Sequence, residues 1–553
     1  MYSGKMSVKH FMYAVWLLAI IGFAVIHLPD LRADFPNRTP WMGDAAKYTD
    51  EGWWGNAAIS AHLTGNWYVA GDLNDAPAAP AWPFLEWIAF SLTGVTVEAA
   101  RGLAVFLFFV NLLLTYFLLR GRQSHWMAMI ALTLIVTSPF LYCFSRLAIL
   151  EPLLLALTLG ALNLAVRLHG MAHPVRGSAL LGLLIALMIL TKPTAIFLVP
   201  AVAWASIWPL RGRWHLAARC ALTAAGVSAA LYSFWIVLVI SHGLLPDFLY
   251  LFAMNQTGGV REPFWPLVLL LRSLYLGIQV DKVLLPLAGV LSLAALSCWR
   301  RRWASELWED PVFGASILAV AGYMAFFVLH IPELRYFAIS SVFCFIVLAM
   351  GAGAMLRGAT WTRRMGWVLI AMIAATVVIN GRETLGYVTH PSYTFVNAAE
   401  GLTRYIDQHP NGRRIVVSDS GDDITLITHV PALCGMWGTQ GLASKLTAYQ
   451  PGWYATWNRV DPRYLEEIHQ HFSIEQVASF SAFDQEDNNK LVLFKLHPLG
   501  GGEADGTAGQ DPRLPLRADK IEVPVIAYED IRRERIRTKI MRRLRGLLGA
   551  LAG

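Results

Sequence analysis

The chain has few charged residues and few cysteines for its length. Charged side chains make up 15% of the 553 residues, whereas about 25% is usual in soluble domains, which argues against a soluble protein. The five cysteines are scattered and include no Cys-x-x-Cys pair, so we expect neither a disulfide framework nor a cysteine metal site. With 56% hydrophobic residues and a mean hydropathy of +0.47, the composition predicts a polytopic integral membrane protein.

Apolar stretches close to the length that crosses a hydrocarbon core recur along the chain. We identify about eleven spans, each matched to a core roughly 30 Å thick. They cover residues 11–27, 101–119, 126–143, 147–166, 178–191, 194–209, 219–240, 283–298, 312–330, 337–356 and 365–380. The first follows Lys5 and Lys9 as a signal peptide would, but no small-x-small cleavage site follows it, so we expect an uncleaved anchor.

Lysine and arginine residues gather at alternate ends of these spans, which predicts their orientation. The basic ends carry Lys5 and Lys9, Arg120 and Arg122, Arg167 and Arg176, Arg211, Arg213 and Arg219, Arg300 to Arg302, and Arg357, Arg363 and Arg364. These ends and the N-terminus are therefore expected in the cytoplasm. The opposite face holds a first outer loop at 28–100, a loop at 241–282 and everything after residue 380. We expect a bacterial inner-membrane protein with this face in the periplasm; in a eukaryote it would be the lumen.

Two stretches of the predicted outer face have a distinctive residue composition. Residues 82–92 form a short apolar run rich in aromatic residues, which favours a helix lying in the membrane interface. In the loop 241–282, apolar anchors flank a polar stretch that contains a glycine pair and Arg261-Glu262. A mobile loop that closes over a substrate and a lipid-facing connector both fit this second pattern.

After residue 380 the sequence resembles that of a soluble domain. Buried strands at 414–418 and 490–494, with helices at 397–408 and 461–471, predict a small α/β domain over residues 381–498. The acids of Ser418-Asp-Ser-Gly-Asp-Asp423 favour a turn with helix-capping residues over a calcium- or phosphate-binding loop. Residues 499–520 read as a linker. Residues 521–553 predict a basic amphipathic helix on anionic lipid, and we expect no nucleic-acid binding.

Ionisable residues beside membrane spans are costly, so they are candidates for function. Five short polar signatures lie on the predicted outer face of the transmembrane part, 1–380: Asp50-Glu51, Arg146 with Glu151, Lys192, Arg261-Glu262, and Glu333 with Arg335. Side chains that reach toward the interface are the alternative for any one of them. Their shared side of the membrane favours a single site at the bilayer surface.

The order of these motifs resembles that of the GT-C superfamily of glycosyltransferases, which includes the protein O-mannosyltransferases and the aminoarabinose transferases. The segments concerned are 49–57 (TDEGWWGNA), 65–67 (GNW), 77–83 (PAAPAWP), 145–151 (SRLAILE), 190–193 (LTKP) and 330–337 (HIPELRYF). Two departures stand out. Position 151 is Glu where most relatives have Asp, and the proline-rich part of the first loop lacks the lysine that some relatives place near the donor phosphate.

The resemblance implies a GT-C-like helical membrane domain, a polyprenyl-phosphate sugar as donor and Asp50 as general base. Transfer would invert the anomeric centre and deliver the sugar to a protein, lipid or glycan acceptor. The residues assigned on this basis are Asp50, Glu51 and Glu151 for catalysis, Arg146, Lys192, Arg261 and Arg335 for the donor phosphate, and Trp53, Trp54, Glu333 and Tyr336 for substrate. No cofactor is certain, and a divalent metal held by Glu51 and Glu151 is left open.

Three alternatives remain at this point. An oligosaccharide-transferring or O-antigen-ligase-like enzyme would use a related donor. A membrane transporter would also place ionisable residues among helices, but the chain shows no clear internal repeat or pair of matching broken spans. A non-enzymatic scaffold would have no use for paired acids beside cations on one face.

Overall fold

The computed structural model of the protein describes residues 8–34, 41, 44–120, 125–255, 264–330, 332–435, 437–482 and 489–499. The predicted tail, the linker beyond Leu499 and the pair Arg261-Glu262 lie outside the described residues. The helices up to residue 389 are α1 (Val8–Val25), α2 (Asp50–Thr64), α3 (Ala81–Thr93), α4 (Val97–Arg120), α5 (His125–Thr137), α6 (Pro139–Phe144), α7 (Glu151–Ala165), α8 (Pro174–Thr191), α9 (Val199–Ile207), α10 (Trp214–Ser241), α11 (Leu245–Asn255), α12 (Trp265–Val280), α13 (Leu284–Ser297), α14 (Arg302–Glu309), α15 (Pro311–Leu329), α16 (Phe337–Arg357) and α17 (Thr360–Thr389).

Among the described residues, eight helical segments are long and apolar enough to cross a membrane, and four shorter apolar helices accompany them. The eight are Val97–Arg120, Glu151–Gly170, Pro174–Thr191, Pro193–Leu210, Trp214–Ser241, Pro311–Leu329, Leu334–Arg357 and Thr360–Thr389; the four are Phe11–Val25, His125–Thr137, Trp265–Val280 and Leu284–Ser297. Each predicted span coincides with one of these segments, so the protein is a helical polytopic membrane protein. The one segment without a predicted counterpart is α12, which lies in the stretch predicted as an outer loop.

Helix α16 forms the centre of the bundle. In its most apolar stretch 89% of the residues are buried, against 17% in α10, which turns most of its surface outward. Small residues allow neighbouring helices to approach α16 closely, since Gly351 lies against Leu291 of α13 and Gly353 against Met127 of α5. The segment that leads into α16 carries Arg335, so this motif is attached to the most buried of the eight long apolar segments.

The first outer loop is folded over much of its length. It contains α2, which begins at Asp50, and α3, which confirms the short apolar helix predicted at 82–92. The two helices are in close contact, because Gly55 of α2 faces the buried carboxyl group of Glu86 on α3. This layer holds the start of α2 above the ends of the membrane helices.

The C-terminal part is a small α/β domain, as predicted, although α17 continues past the expected boundary at residue 380. Its elements are α18 (Thr394–Gln408), β1 (Arg413–Ser418), α19 (Gly421–Thr428), β2 (Ala432–Cys434), α20 (Leu442–Tyr449), β3 (Pro451–Trp457), α21 (Pro462–His469), β4 (Phe472–Ser481) and β5 (Lys490–Pro498). The strands described form one mixed sheet in the order β2-β1-β3-β5-β4. Strand β1 pairs in parallel with β2 and β3, and β5 pairs antiparallel with β3 and β4.

Buried polar contacts fasten this domain to the first outer loop. The Lys445 ammonium lies 2.7 Å from Asp72 Oδ1, and both side chains are almost fully buried. The main chain adds a hydrogen bond from the Gln440 amide to the Gly71 carbonyl, at 2.9 Å. A buried ion pair holds partners in one arrangement, because separating them would leave a charge without compensation. The domain is therefore seated on the loop that carries α2.

Candidate active site

Asp50 lies at the first position of α2 and is 3% exposed. Its carboxylate accepts hydrogen bonds from the Thr49 hydroxyl at 3.2 Å and from the Trp54 indole at 3.4 Å. Burial raises the pKa of Asp50 above its ordinary value, an effect that Arg335 opposes and that nearby Asp44 and Glu151 reinforce. A carboxylate with a raised pKa is a stronger proton acceptor than an exposed aspartate.

Arg335 joins Asp50 to a second carboxylate, that of Asp44. The guanidinium Nε lies 2.8 Å from Asp50 Oδ2, and Nη1 lies 2.8 Å from Asp44 Oδ1. The Arg335 main-chain amide also donates to Asp44 Oδ2 at 3.0 Å. Asp44 in turn accepts from the Ala46 amide and so caps the 3-10 turn Ala45–Tyr48 just before α2. The guanidinium is thus fixed between two acids from the first outer loop.

A second ion pair, Lys192 with Glu151, lies beside the first. The Lys192 ammonium donates to Glu151 Oε1, and both side chains are buried. The Tyr336 ring connects the two pairs: Lys192 Nζ lies 4.1 Å and Arg335 Cζ 5.2 Å from its centroid. Cations held over an aromatic face are stabilised by its quadrupole. The structure therefore brings together Asp50, Glu151, Lys192, Arg335 and Tyr336, which lie far apart in the sequence.

Carboxyl groups outnumber cations in this cluster. Glu333 is a further member, because Arg335, Asp44, Arg272 and Asp50 all act on its charge, while burial raises its pKa. Like charges in a buried site disfavour full ionisation. An anionic ligand is best accommodated here when a carboxyl group is protonated or another cation approaches. Arg272 is an exposed residue of α12, and its guanidinium can supply such a positive charge.

Glu51 is the chain neighbour of Asp50, but its side chain belongs to another network. Arg101 Nε donates to Glu51 Oε1 at 2.8 Å, and Nη2 of the same arginine donates to Oε2. Glu51 Oε1 also accepts from the Ala148 amide at 2.9 Å. Arg101 reaches the Leu31 and Ala33 carbonyls as well. With both of its oxygens bound in this way, Glu51 ties α2 to α4 and to the turn before α7.

The two carboxylates considered for a metal do not suit that role in this arrangement. Glu51 is occupied by Arg101 and Ala148, and Glu151 accepts from Lys192. In the described part of the chain, no group of three or more His, Cys, Asp or Glu side chains is arranged to hold a metal ion.

Arg146 lies apart from the Asp50 cluster. Its guanidinium donates to the Tyr142 hydroxyl and to the Asp30 carbonyl, and it stacks over the Tyr142 ring at 4.9 Å. Together with Leu147 and Tyr387 it lines a separate pocket beside the C-terminal end of α17. Burial lowers the pKa of Arg146. The geometry does not bring this residue to the Arg335–Lys192 pair, where the motif-based assignment to one phosphate site would place it.

The tryptophan pair after Asp50 is also divided. Trp54 faces the Asp50 carboxylate, whereas the Trp53 indole donates to the Asp419 carbonyl at 3.2 Å and packs edge-on against Trp437. Trp53 therefore contacts the C-terminal domain.

Sequence reasoning missed Asp44 and Arg101. Arg101 carries a detectable signal, because an arginine at an outer span end runs against the positive-inside pattern. Asp44 has no such mark, since nothing in the sequence separates it from the other acids of the first outer loop.

Comparisons with known proteins agree with this architecture. Residues 75–239 match the family described as dolichyl-phosphate-mannose-protein mannosyltransferase. ArnT from Cupriavidus metallidurans, solved bound to undecaprenyl phosphate, superposes with a TM-score of 0.55 at 13% identity over 87% of this chain and 98% of that chain. The oligosaccharyltransferase AglB from Archaeoglobus fulgidus gives a TM-score of 0.49 at 13% identity over 81% and 70%. No curated protein sequence matches the chain. The family match confirms the predicted resemblance to the GT-C glycosyltransferases, and the likeness to ArnT confirms the predicted fold.

Proposed function

We propose that this membrane protein of the GT-C glycosyltransferase type transfers a sugar from a polyprenyl-phosphate donor to an acceptor hydroxyl at the outer membrane surface. One observation carries the proposal: Asp50, a buried carboxylate with a raised pKa, is paired with Arg335 at 2.8 Å, and a second cation, Lys192, lies on the same Tyr336 ring as Arg335. A base next to an anion-binding group is what transfer from a phosphate-linked sugar requires.

The location suits a lipid-linked donor. The prenyl tail partitions into hydrocarbon and the phosphate stays at the headgroup level, where the cluster at the start of α2 and of α16 lies by its position in the fold. The resemblance to a structure described as bound to undecaprenyl phosphate supports the same class of donor. A soluble nucleotide sugar would have no need of a site surrounded by apolar helices.

Asp50 acts as the general base in this scheme. It takes the proton of the acceptor hydroxyl as the oxygen forms a bond with the anomeric carbon. Because Oδ2 of the carboxylate contacts both Arg335 and the Trp54 indole, and Oδ1 accepts from the Thr49 hydroxyl, its direction is defined before substrate arrives. The raised pKa of Asp50 favours this transfer once the group is ionised.

Arg335 and Lys192 stabilise the leaving group. As the bond between the anomeric carbon and the phosphate oxygen breaks, its electron pair goes to that oxygen, and charge develops on the phosphate. The Arg335 guanidinium and the Lys192 ammonium both lie against the Tyr336 ring, and both are charged hydrogen-bond donors for that oxygen. The acceptor oxygen attacks the anomeric carbon from the side where Asp50 lies, and the phosphate departs from the opposite side. This single displacement inverts the anomeric centre, by analogy with inverting glycosidases.

Glu151 holds Lys192 in place through their buried ion pair, and Tyr336 and Trp54 contribute the aromatic surfaces nearest to these charges. We assign Glu51 to the support of α2. Arg261 remains a candidate for the phosphate. We further propose that the acceptor is a protein, lipid or glycan, and that the C-terminal domain faces the periplasm from the inner membrane of a bacterium.

The direct test is transfer by the purified protein in lipid nanodiscs. A panel of radiolabelled polyprenyl-phosphate sugars is incubated with membrane extract as the source of acceptors, with the Asp50→Asn variant as the control. Label that moves from the donor to an acceptor with the wild type, and not with the variant, supports the proposal. Transfer from a nucleotide sugar alone, or equal transfer by wild type and variant, would overturn it.

A further inference from the structure

The first turn of α2 is capped by a residue from another domain. The amides at the start of a helix lack partners within the helix, and a side chain at the N-cap position usually accepts from one of them. In α2 the N-cap residue Thr49 makes no such bond, and its hydroxyl donates to Asp50 instead. The Gly52 amide donates to Oδ1 of Asp423, in the C-terminal domain, at 3.1 Å.

The first turns of α2 and α19 are in close backbone contact at Gly52. A Cβ atom at position 52 would lie 2.2 Å from the Asp423 nitrogen and 2.3 Å from the Asp422 carbonyl carbon. Non-bonded atoms do not approach each other so closely, so only glycine at position 52 lets the first turns of α2 and α19 meet. Trp53, the next residue, adds its hydrogen bond to the Asp419 carbonyl. Gly52 and Trp53 are therefore both hydrogen-bonded to the C-terminal domain.

Asp423 is suited to this role. It is 2% exposed and lies in the first turn of α19. The buried Lys445–Asp72 pair attaches the domain that contains α19 to the first outer loop. Burial and the neighbouring Glu51 raise the pKa of Asp423 well above its ordinary value, which favours the neutral acid. A neutral carboxyl oxygen accepts from the Gly52 amide as an amide oxygen would, so charge is not needed for the cap.

We propose that Asp423 is a positioning residue for sugar transfer, because it caps the first turn of α2 from across the domain boundary and so sets the direction of the Asp50 carboxylate. The C-terminal domain then takes part in the reaction by holding the base, without contacting substrate. The inference rests on the proposed function for its kinetic part. The cap itself is a matter of geometry and is testable alone.

The experiment uses the full-length protein in nanodiscs and three variants. Asp423→Ala removes the acceptor, Asp423→Asn keeps an acceptor of the same size, and Asp407→Ala is the matched control in an exposed ion pair of the same domain. The readouts are kcat and donor KM for transfer, and hydrogen exchange of the peptide that covers residues 49–56. We expect Asp423→Ala to lower kcat about 2- to 30-fold, the factor by which the loss of an N-cap changes a helix's folding equilibrium, with donor KM within about twofold of wild type.

Hydrogen exchange separates a local effect from global unfolding. Asp423→Ala should speed exchange in the 49–56 peptide and leave the peptides of α16 protected, while Asp423→Asn and Asp407→Ala should match the wild type in both assays. Equal kcat for wild type and Asp423→Ala, or equal losses for the Ala and Asn variants, would overturn the inference. So would a Gly52 amide that exchanges freely in the wild type, a measurement that needs no variant. If the wild type transfers no sugar from any polyprenyl phosphate, the proposed function fails, while the exchange data still decide on the cap.

Discussion

Asp50 and Glu51 are adjacent in the chain, yet their carboxylates belong to two separate ion-pair networks. Asp50 meets Arg335 at 2.8 Å, and Glu51 is held by Arg101, whose Nε lies 2.8 Å away. Successive residues of a helix point about 100° apart, so one side chain faces the candidate site and the other faces the support of α2. The two positions are therefore expected to respond differently to substitution.

Asp50→Asn is expected to leave the protein inserted, folded and able to bind donor, but to reduce transfer about a hundredfold or more, the scale for losing a general base. Asn keeps the size of the side chain and cannot accept the acceptor's proton. Initial rates with a labelled donor, beside donor binding, test this. Near-normal transfer by Asp50→Asn, together with loss of transfer in a folded Glu51→Gln protein, would reverse the assignment within the pair.

Glu51→Gln is expected to destabilise the protein by up to roughly 5 kcal/mol, because it removes the nearer counter-charge of the buried Arg101 guanidinium and leaves only Asp34, whose Oδ1 lies 3.7 Å away. Thermal unfolding in detergent measures the effect. Asp407→Asn is the control, since it breaks an exposed pair with Arg414 that contributes about 0 to 1 kcal/mol. A Glu51→Gln protein that unfolds at the wild-type temperature yet transfers no sugar would assign Glu51 to catalysis.

Arg335→Ala is expected to lower kcat/KM for donor by roughly 10- to 150-fold, which corresponds to the 1.5 to 3 kcal/mol of a charged hydrogen bond. The structure adds that this variant also leaves Asp44 and Asp50 without their cation. Arg335→Lys keeps the charge but loses the planar fork, so it should fall between wild type and Ala. Unchanged turnover in the Ala variant would move the phosphate site to Lys192 or Arg261.

Asp247 predicts a pH dependence of stability. Its carboxylate accepts from the Tyr68 hydroxyl and from Asn74 Nδ2, and burial raises its pKa from 3.8 to about 6. Between these values the folded state binds more protons than the unfolded state, so the free energy of unfolding falls as the pH rises from about 4 to 6. We expect a loss of about 1 to 3 kcal/mol. Asp247→Asn should remove this part of the dependence, and identical pH profiles for the two proteins would contradict it.

The alternating basic ends predict that the C-terminal domain lies outside the cytoplasm, which requires that α12 does not cross the membrane as a twelfth span. A reporter fused after Leu499 tests this. Alkaline phosphatase should be active there and a fluorescent protein that folds only in the cytoplasm should stay dark. The reverse result would place the candidate site on the cytoplasmic face.

The sequence by itself determined the membrane class, the spans and the separate α/β domain. These features follow from local composition and periodicity, which do not depend on how the helices and strands pack against one another. It also marked Asp50, Glu151, Lys192 and Arg335, because ionisable side chains are rare beside apolar spans.

Only the tertiary structure decided which of these charges meet. Ion pairs between residues such as Asp44 and Arg335, or Glu51 and Arg101, depend on the packing of helices far apart in the chain, and residue type does not encode that distance. The same holds for Arg146, which resembles its neighbours in a motif but faces another cavity. The cap on α2 is the clearest case, because its acceptor comes from Asp423, a residue whose local sequence indicated only a turn.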